Sequence, residues 1–184
     1  GVLALYALRY PKRIDRLVVV SPVPCHAGVR PPAGAGPAAP APHLLARLDQ
    51  LEAAGLRDAD PVAYCRAWRE VYAPGLLADP TCAARLADVC ELPNEWPWNV
   101  TLSLVAVYAE LMDHDWRPWL AEVQAPVLVV HGERDEPEEA ATGWVDALPD
   151  ARLLPVPGSA ALPWVERPDV FFPTVNRFLA GEPV

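Results

Sequence analysis

The stretch that decides the fold is PVLVVHGERD, residues 126–135. It opens with a continuous apolar run rich in β-branched residues, which is typical of a strand covered on both faces of a parallel sheet. A short turn with acidic residues follows, and a helical pattern begins at Glu138. The stretch therefore predicts a buried strand that delivers Asp135 just beyond its carboxyl end.

Two further stretches have the character of strands. RLVVVS, residues 16–21, is again continuously apolar, and RLLPV, residues 152–156, contains Pro155, which favours an edge position. Helices are predicted at residues 2–10, 138–148 and 168–179. Strands that alternate with helices predict an α/β fold with about three parallel strands and flanking helices. The first strand, Leu17 to Val20, is too apolar for an exposed edge, so we expect it to lie inside a larger sheet.

The middle of the chain has only helical patterns. Residues 30–42 are almost entirely Pro, Ala and Gly, which predicts a flexible or extended connector. Two of the later patterns begin with an Asp-Pro pair, which favours an N-cap followed by a first-turn proline. The helical patterns occupy residues 43–54, the stretches that follow Asp60-Pro61 and Asp79-Pro80, and residues 99–112 and 116–123. We therefore expect a helical lid, residues 23–115, inserted into a core formed by residues 1–22 and 116–184.

Charge and cysteine usage limit the classes of function. A formal net charge of −9 repels phosphate backbones and anionic lipid, so we expect no nucleic-acid partner and no membrane partner. The four cysteines form no CxxC pair and the four histidines are scattered. We therefore expect reduced thiols, no metal site and no cofactor. The start of the sequence has no pattern of a signal peptide, so the expected location is cytoplasmic.

Five segments, in this order, resemble the α/β-hydrolase family and its prolyl aminopeptidase branch in particular. They are GVLALYALRYPKRIDRLVVVSP, CELPNEWPW, DHDWRPWL, APVLVVHGERDEP and PGSAALPWVERPDVFF. The resemblance implies a partial α/β-hydrolase fold and serine-hydrolase chemistry, with a nucleophile in a G-x-S-x-G elbow, then an acid, then a histidine. Asp135 matches the acid, which would orient the histidine ring and stabilise its cation. The alternative is that Asp135 merely caps the helix that follows it.

The other two members of the implied triad are missing from this sequence. Gly1 matches the last glycine of the elbow, so the serine would precede residue 1, and we expect the chain to be a truncated one. Ala161 stands where the family has its histidine, and a methyl group cannot take the proton of a serine hydroxyl. The resemblance therefore predicts a chain that is nearly inactive as a triad hydrolase.

Substitutes for these groups are few. His131 ends a strand, and we expect it to be a packed histidine that is hydrogen-bonded under the loop. Ser21 ends a strand as a nucleophile might, but it lacks the flanking glycines of an elbow. In prolyl aminopeptidases, lid carboxylates hold the free amino terminus of the substrate. Glu91 and Glu95 are the matching candidates here, and the alternative is that both are solvent-facing acids beside core tryptophans.

The resemblance thus implies an α/β-hydrolase family protein similar to the serine hydrolases that release N-terminal proline from peptides, inactive as it stands. A non-catalytic protein that binds a ligand in the lid pocket, or a gene fragment, is the alternative. The expected ligand is a small peptide or an ester. Self-association through the exposed edge of the sheet is also expected, because a bare apolar strand offers unpaired backbone groups.

Overall fold

A computed structural model describes residues 2–29, 40–90, 114–135 and 137–184 of the 184-residue chain. Most of the predicted connector, the predicted helix at residues 99–112, and both lid acids, Glu91 and Glu95, lie outside the described residues. Among the residues that the structure describes, no helix is both long enough and apolar enough to cross a bilayer.

The described part of the sheet has three parallel strands in the order β1–β2–β3. The strands are β1 (Leu17–Val20), β2 (Val127–Gly132) and β3 (Ala151–Val156). The predicted α/β class with about three parallel strands is confirmed. Pro155 lies on β3, an outer strand, as predicted. On its other side the described sheet ends at β1, which pairs there only with β2.

The helices follow the sequence prediction closely at both ends of the chain. They are α1 (Val2–Arg9), α2 (Pro42–Ala53), α3 (Leu56–Ala59), α4 (Pro61–Tyr72), α5 (Arg117–Leu120), α6 (Glu138–Ala147), α7 (Pro163–Glu166) and α8 (Pro168–Leu179). The described residues also include three 3₁₀ helices, at Pro11–Arg13, Ala73–Leu76 and Pro80–Cys90. The short α7 is not among the helices predicted from the sequence.

The two faces of β2 are covered by different helices. Val127 and Val129 face a cluster that contains Trp144 of α6, and Leu128 and Val130 face Phe171 and Phe178 of α8. All six residues of β2 are buried. Alternate side chains of a strand point to opposite faces, so a continuous apolar run is what this two-sided packing requires. Full burial of one such side chain contributes about 1.5–3 kcal/mol.

The two Asp-Pro pairs begin helices of different kinds. The side chain of Asp60 accepts a hydrogen bond from the backbone N–H of Ala63 at 3.0 Å and caps α4 as predicted. The side chain of Asp79 instead accepts from the N–H of Thr81 at 2.9 Å and from its hydroxyl at 2.7 Å. The helix that follows Asp79 is the 3₁₀ helix Pro80–Cys90.

The expectation of four reduced cysteines is wrong. Cys65 and Cys90 form a disulfide, whereas Cys25 and Cys82 are free and buried. The 3₁₀ helix Pro80–Cys90 packs against α4, and this brings together two cysteines that are 25 residues apart, with their Cα atoms 5.8 Å apart. Local spacing could not reveal this pair, because the contact depends on how the two helices pack.

Candidate functional site

Two loops meet at the carboxyl end of the sheet. One follows β2 and carries Asp135, and the other, residues 157–162, follows β3 and carries Ala161. Adjacent parallel strands bring the loops together, and backbone bonds join them. The N–H of Arg134 donates to the carbonyl of Ser159 at 2.9 Å, and the N–H of Glu133 donates to the carbonyl of Val156 at 3.2 Å. The structure therefore places the predicted acid and the predicted base position on neighbouring loops.

Asp135 lies in a tight turn, where its N–H donates to the carbonyl of Gly132 at 2.9 Å. Its side chain is 24% exposed, and its Oδ2 lies 3.7 Å from Nδ1 of His131. That distance is too long for a hydrogen bond, so the attraction is electrostatic and requires a protonated ring. The N-cap residue of α6 is Pro137, and no side chain caps that helix. The alternative that Asp135 is only a helix cap is therefore wrong.

The loop that carries Ala161 is held firmly around its turn. Gly158 adopts a left-handed conformation with φ of 69°, and the side chain of Ser159 is fully buried. The Ser159 hydroxyl donates to the carbonyl of Ala160 at 3.2 Å, and the N–H of Ala160 donates to Oε2 of Glu166 at 2.7 Å. Ala161 itself is half-buried. Its methyl group has no donor and no acceptor, so it offers Asp135 no hydrogen-bonding partner.

Two buried polar side chains lie at the same end of the sheet. His131 is 4% exposed, and neither of its ring nitrogens has a hydrogen-bond partner within the described part of the chain. The hydroxyl of Ser21 is buried and equally unpartnered there. Ser21 follows β1, and its N–H bonds to the carbonyl of Val130, so it lies beside the strand end that carries His131. The burial predicted for His131 is confirmed, and its predicted hydrogen bond is not found.

Ser21 also makes a turn that the sequence did not predict. Its φ of 44° is positive, a region that side chains other than glycine rarely adopt. The chain therefore turns sharply at the end of β1 although no glycine is present. Such a conformation costs of the order of 1–3 kcal/mol and persists only where the surrounding structure imposes it.

Sequence reasoning missed Glu166, which is only 8% exposed. Its Oε1 accepts a hydrogen bond from the N–H of Asp79 at 2.9 Å, while its Oε2 binds the N–H of Ala160. A carboxylate that stays buried needs such partners. The available signal was the stretch PWVE, which places an acid directly after apolar residues in the loop that carries Ala161.

The entrance and the exit of the predicted lid lie side by side. The N–H of Trp116 donates to the carbonyl of Cys25 at 2.8 Å, and Trp144 Nε1 donates to the carbonyl of Val23 at 2.8 Å. Beside this junction, the Arg117 guanidinium donates two hydrogen bonds to Asp115, and these hold the pKa of that carboxyl down to about 2. Burial raises the pKa of the Cys25 thiol.

No family model matches the chain. Over 173 residues, or 92% of its length, the chain is 32% identical to a pimeloyl-[acyl-carrier protein] methyl ester esterase of Aromatoleum aromaticum, of which it covers 66%. A serine hydrolase from the bacterium Cycloclasticus zankles superimposes with a TM-score of 0.59 at 20% identity, over 98% of this chain and 60% of that one. The chain belongs to the α/β-hydrolase fold family. It spans about two thirds of the esterase and three fifths of the serine hydrolase.

The prolyl branch is also represented among the structures that this α/β-hydrolase chain resembles. A proline iminopeptidase of Mycobacterium smegmatis superimposes with a TM-score of 0.50 at 25% identity, over 97% of this chain and 60% of that one. The family prediction is therefore confirmed at the level of the α/β-hydrolase family, and the esterase has a higher identity to this chain than the iminopeptidase. The assignment to the prolyl branch stays a prediction.

Proposed function

We propose that this protein is an α/β-hydrolase that binds a carboxylic ester beside Asp135, and that turnover by a serine–histidine–aspartate mechanism is blocked at position 161. The observation that carries the proposal is the docking of the Ala161 loop on the Asp135 loop, through the bond from the Arg134 N–H to the Ser159 carbonyl. In this proposal Asp135 is the acid and Ala161 occupies the base position, and of the two only Asp135 has a side chain that can take part in a proton transfer.

The roles follow from the chemistry of ester hydrolysis. A serine hydroxyl attacks the carbonyl carbon and must lose its proton to a base, which later protonates the leaving alkoxide. A carboxylate at Asp135 would orient an imidazole at position 161 and stabilise its cation. Because Ala161 has only a methyl group, it can neither accept the proton of the serine hydroxyl nor donate one to the leaving alkoxide. Loss of a triad member costs roughly 10⁴-fold or more in rate.

His131 does not replace the missing base in this proposal. Its ring is buried at the end of β2, and its Nδ1 is 3.7 Å from Asp135, beyond hydrogen-bonding distance. A triad base needs its ring held by a hydrogen bond to the acid, and a separation of 3.7 Å is too long for that bond. Among the described residues, the ring nitrogens of His131 and the hydroxyl of Ser21 have no hydrogen-bond partner, and they make this end of the sheet polar, which suits the binding of a polar ligand group.

An ester is the first choice of ligand class because the esterase of Aromatoleum aromaticum is 32% identical over 92% of the chain. The second candidate is a peptide with an N-terminal proline, which the likeness to the proline iminopeptidase favours. In that case Glu91 and Glu95 are the acids proposed to hold the free amino terminus. Cys90, the residue before Glu91, is joined to Cys65 of α4 by the disulfide.

The test is the substitution Ala161→His in the protein expressed from its complete reading frame. We expect hydrolysis of a p-nitrophenyl ester to rise by about 100-fold or more, since general base catalysis contributes about 10²–10⁴-fold. The second substitution Asp135→Asn should remove most of the gain. Ala121→His, at an exposed position away from the site, is the matched control and should add nothing.

Two results would contradict the proposal. One is an Ala161→His protein that is no faster than the natural one, and the other is a gain in rate that Asp135→Asn leaves unchanged. A proline p-nitroanilide assayed in parallel separates the ligand classes. If Ala161→His releases nitroaniline and leaves the ester untouched, the prolyl candidate replaces the ester.

A further inference from the structure

Glu166 joins two parts of the chain that are far apart in sequence. Its carboxylate bonds to the N–H of Ala160 at 2.7 Å, next to position 161, and to the N–H of Asp79, 87 residues earlier, at 2.9 Å. Hydrogen bonds that involve an ionised carboxylate are roughly twice as strong as neutral ones. One buried side chain therefore links the loop beside Asp135 to the segment that begins at Asp79.

The segment and α7 also pack against each other. Arg85 donates from Nη1 to the carbonyl of Val165 at 2.8 Å. An apolar cluster continues the contact between the two elements. Its buried members are Ala73, Leu77, Cys82, Leu86 and Val165, with Leu162 packed against them. The segment that begins at Asp79 therefore packs against α7.

The loop that carries Ala161, residues 157–162, also contacts the end of β2. The bond from the N–H of Arg134 to the Ser159 carbonyl and the close approach of Ala160 to Gly132 fix that side through the backbone. The loop that contains position 161 is therefore fixed by two sets of contacts. Backbone contacts join it to the end of β2, and the carboxylate of Glu166 binds it from the other side.

We propose that Glu166 is a positioning residue, which sets the place of position 161 relative to Asp135 and couples it to the segment that begins at Asp79. The proposal rests on the proposed function in one respect, the pairing of position 161 with Asp135. The carboxylate of Glu166 bonds to the segment that begins at Asp79 and to the loop that carries Ala161. A ligand that displaces this segment would therefore also move the loop.

A thiol introduced by Ala161→Cys can report on this geometry without any turnover. Its pKa is read from the pH dependence of alkylation, followed peptide by peptide so that Cys25 and Cys82 do not interfere. A nearby negative charge raises the pKa of a thiol. The substitution Asp135→Asn, made in the Ala161→Cys protein, should therefore lower the pKa of the introduced thiol by about half a unit or more. We expect E166Q to reduce that shift to less than half, because an amide keeps one acceptor and cannot serve both N–H groups. E122Q, at an exposed site, should leave it unchanged.

E166D provides a second variant, since it keeps the charge but is one methylene too short to reach both donors. The proposal is overturned if the effect of Asp135→Asn is equally large in the parent, E166Q and E166D. It is also overturned if Asp135→Asn has no effect in the parent, since position 161 then does not face Asp135. If E166Q and E166D both fail to fold while E122Q folds, the role of Glu166 is structural and not one of positioning. A failure of the proposed function would show separately, as an Ala161→His protein without hydrolysis.

Discussion

The backbone carbonyl oxygen of Ala160 lies so close to Gly132 that a Cβ atom on Gly132 would be 2.2 Å from it. The carbonyl oxygen of Ser159 would be 2.5 Å from the same atom. Both are backbone atoms and cannot rotate away, as the end of a side chain could. The absence of a side chain at Gly132 is therefore what allows the loop of Ala161 to lie against the end of β2.

Gly132→Ala should consequently destabilise the protein and displace residues 159–161. Forcing an extra carbon into a well-packed site costs about 1–3 kcal/mol and sometimes more. Urea unfolding measures the loss of free energy, and hydrogen exchange at the amide of Ala160 reports whether the loop has moved.

Gly143→Ala is the matched control, because the atom nearest to its Cβ would be the side-chain sulfur of Cys25, at 3.2 Å. Gly143 lies inside α6, where alanine is favoured over glycine by about 1 kcal/mol, and this gain offsets the tight contact. A Gly132→Ala protein as stable as the Gly143→Ala protein would show that the loop can be accommodated elsewhere.

The Cys65–Cys90 disulfide predicts a redox-dependent stability. The bond closes a loop with a sequence separation of 25 residues, so its reduction should cost roughly 3 kcal/mol by the chain-entropy relation. Alkylation under native conditions, followed by mass spectrometry, should modify neither Cys65 nor Cys90 before reduction and should modify the half-buried Cys65 after it.

Cys25 supplies the control for that experiment. It is 1% exposed, and burial raises the pKa of its thiol, so it should resist alkylation at pH 8 in the native protein whether or not the disulfide is reduced. Equal stability of the oxidised protein and a Cys65→Ser, Cys90→Ser double variant would contradict the predicted role of the bond.

Asp115 predicts a loss of stability in acid. The guanidinium of Arg117 lowers the pKa of Asp115 from 3.8 to about 2 in the folded protein. Folding therefore favours the ionised carboxyl, so its stabilising contribution is fully present above about pH 4 and is lost as the pH falls towards 2. Titration of the Asp115 carboxyl carbon by NMR should show the low value, and Arg117→Gln should raise it towards the ordinary value.

Asp169 is the internal reference for the titration. Its pKa is lowered by a separate pairing with Arg167, so Arg117→Gln should leave it unchanged. If the two aspartates move together in Arg117→Gln, Arg117 acts through the general electrostatic field of the protein and not through its hydrogen bonds to Asp115.

We propose that the outer edge of β1 promotes self-association. The N–H of Leu17 donates to the carbonyl of Pro126, and the N–H of Ser21 donates to the carbonyl of Val130. Because N–H groups alternate in direction along a strand, the N–H groups of Val18 and Val20 point away from β2. Side chains of α1 are also well exposed; they are Leu3 and Tyr6. We expect light scattering to detect dimers or larger species at high concentration.

Val18→Pro should reduce this association, because proline is tolerated at an edge where its missing N–H would point outward. Val19→Pro is the control, and it should destabilise the fold because it removes a hydrogen bond to β2. The proposal is contradicted if the unsubstituted 184-residue chain stays monomeric at high concentration and unfolds cooperatively.

Patterns of local chemistry predicted most of the fold. The apolar run at Val127 to Val130 identified a buried parallel strand, Pro155 identified an outer one, and Asp60 identified the cap of α4. These features depend on residues that are near one another in the chain, so the sequence alone contains the information. The short α7 was missed, because its four residues are too few for a periodic pattern.

The sequence by itself determined which chemistry the candidate site can have. It placed a carboxylate at Asp135 and a methyl group at Ala161, and no arrangement of the chain changes those groups. Tertiary structure alone decided how they are held, through the close approach of Ala160 to Gly132, the bridge that Glu166 makes to Asp79, and the disulfide. Each of these joins residues at least 25 positions apart, and such contacts depend on packing, which local patterns do not encode.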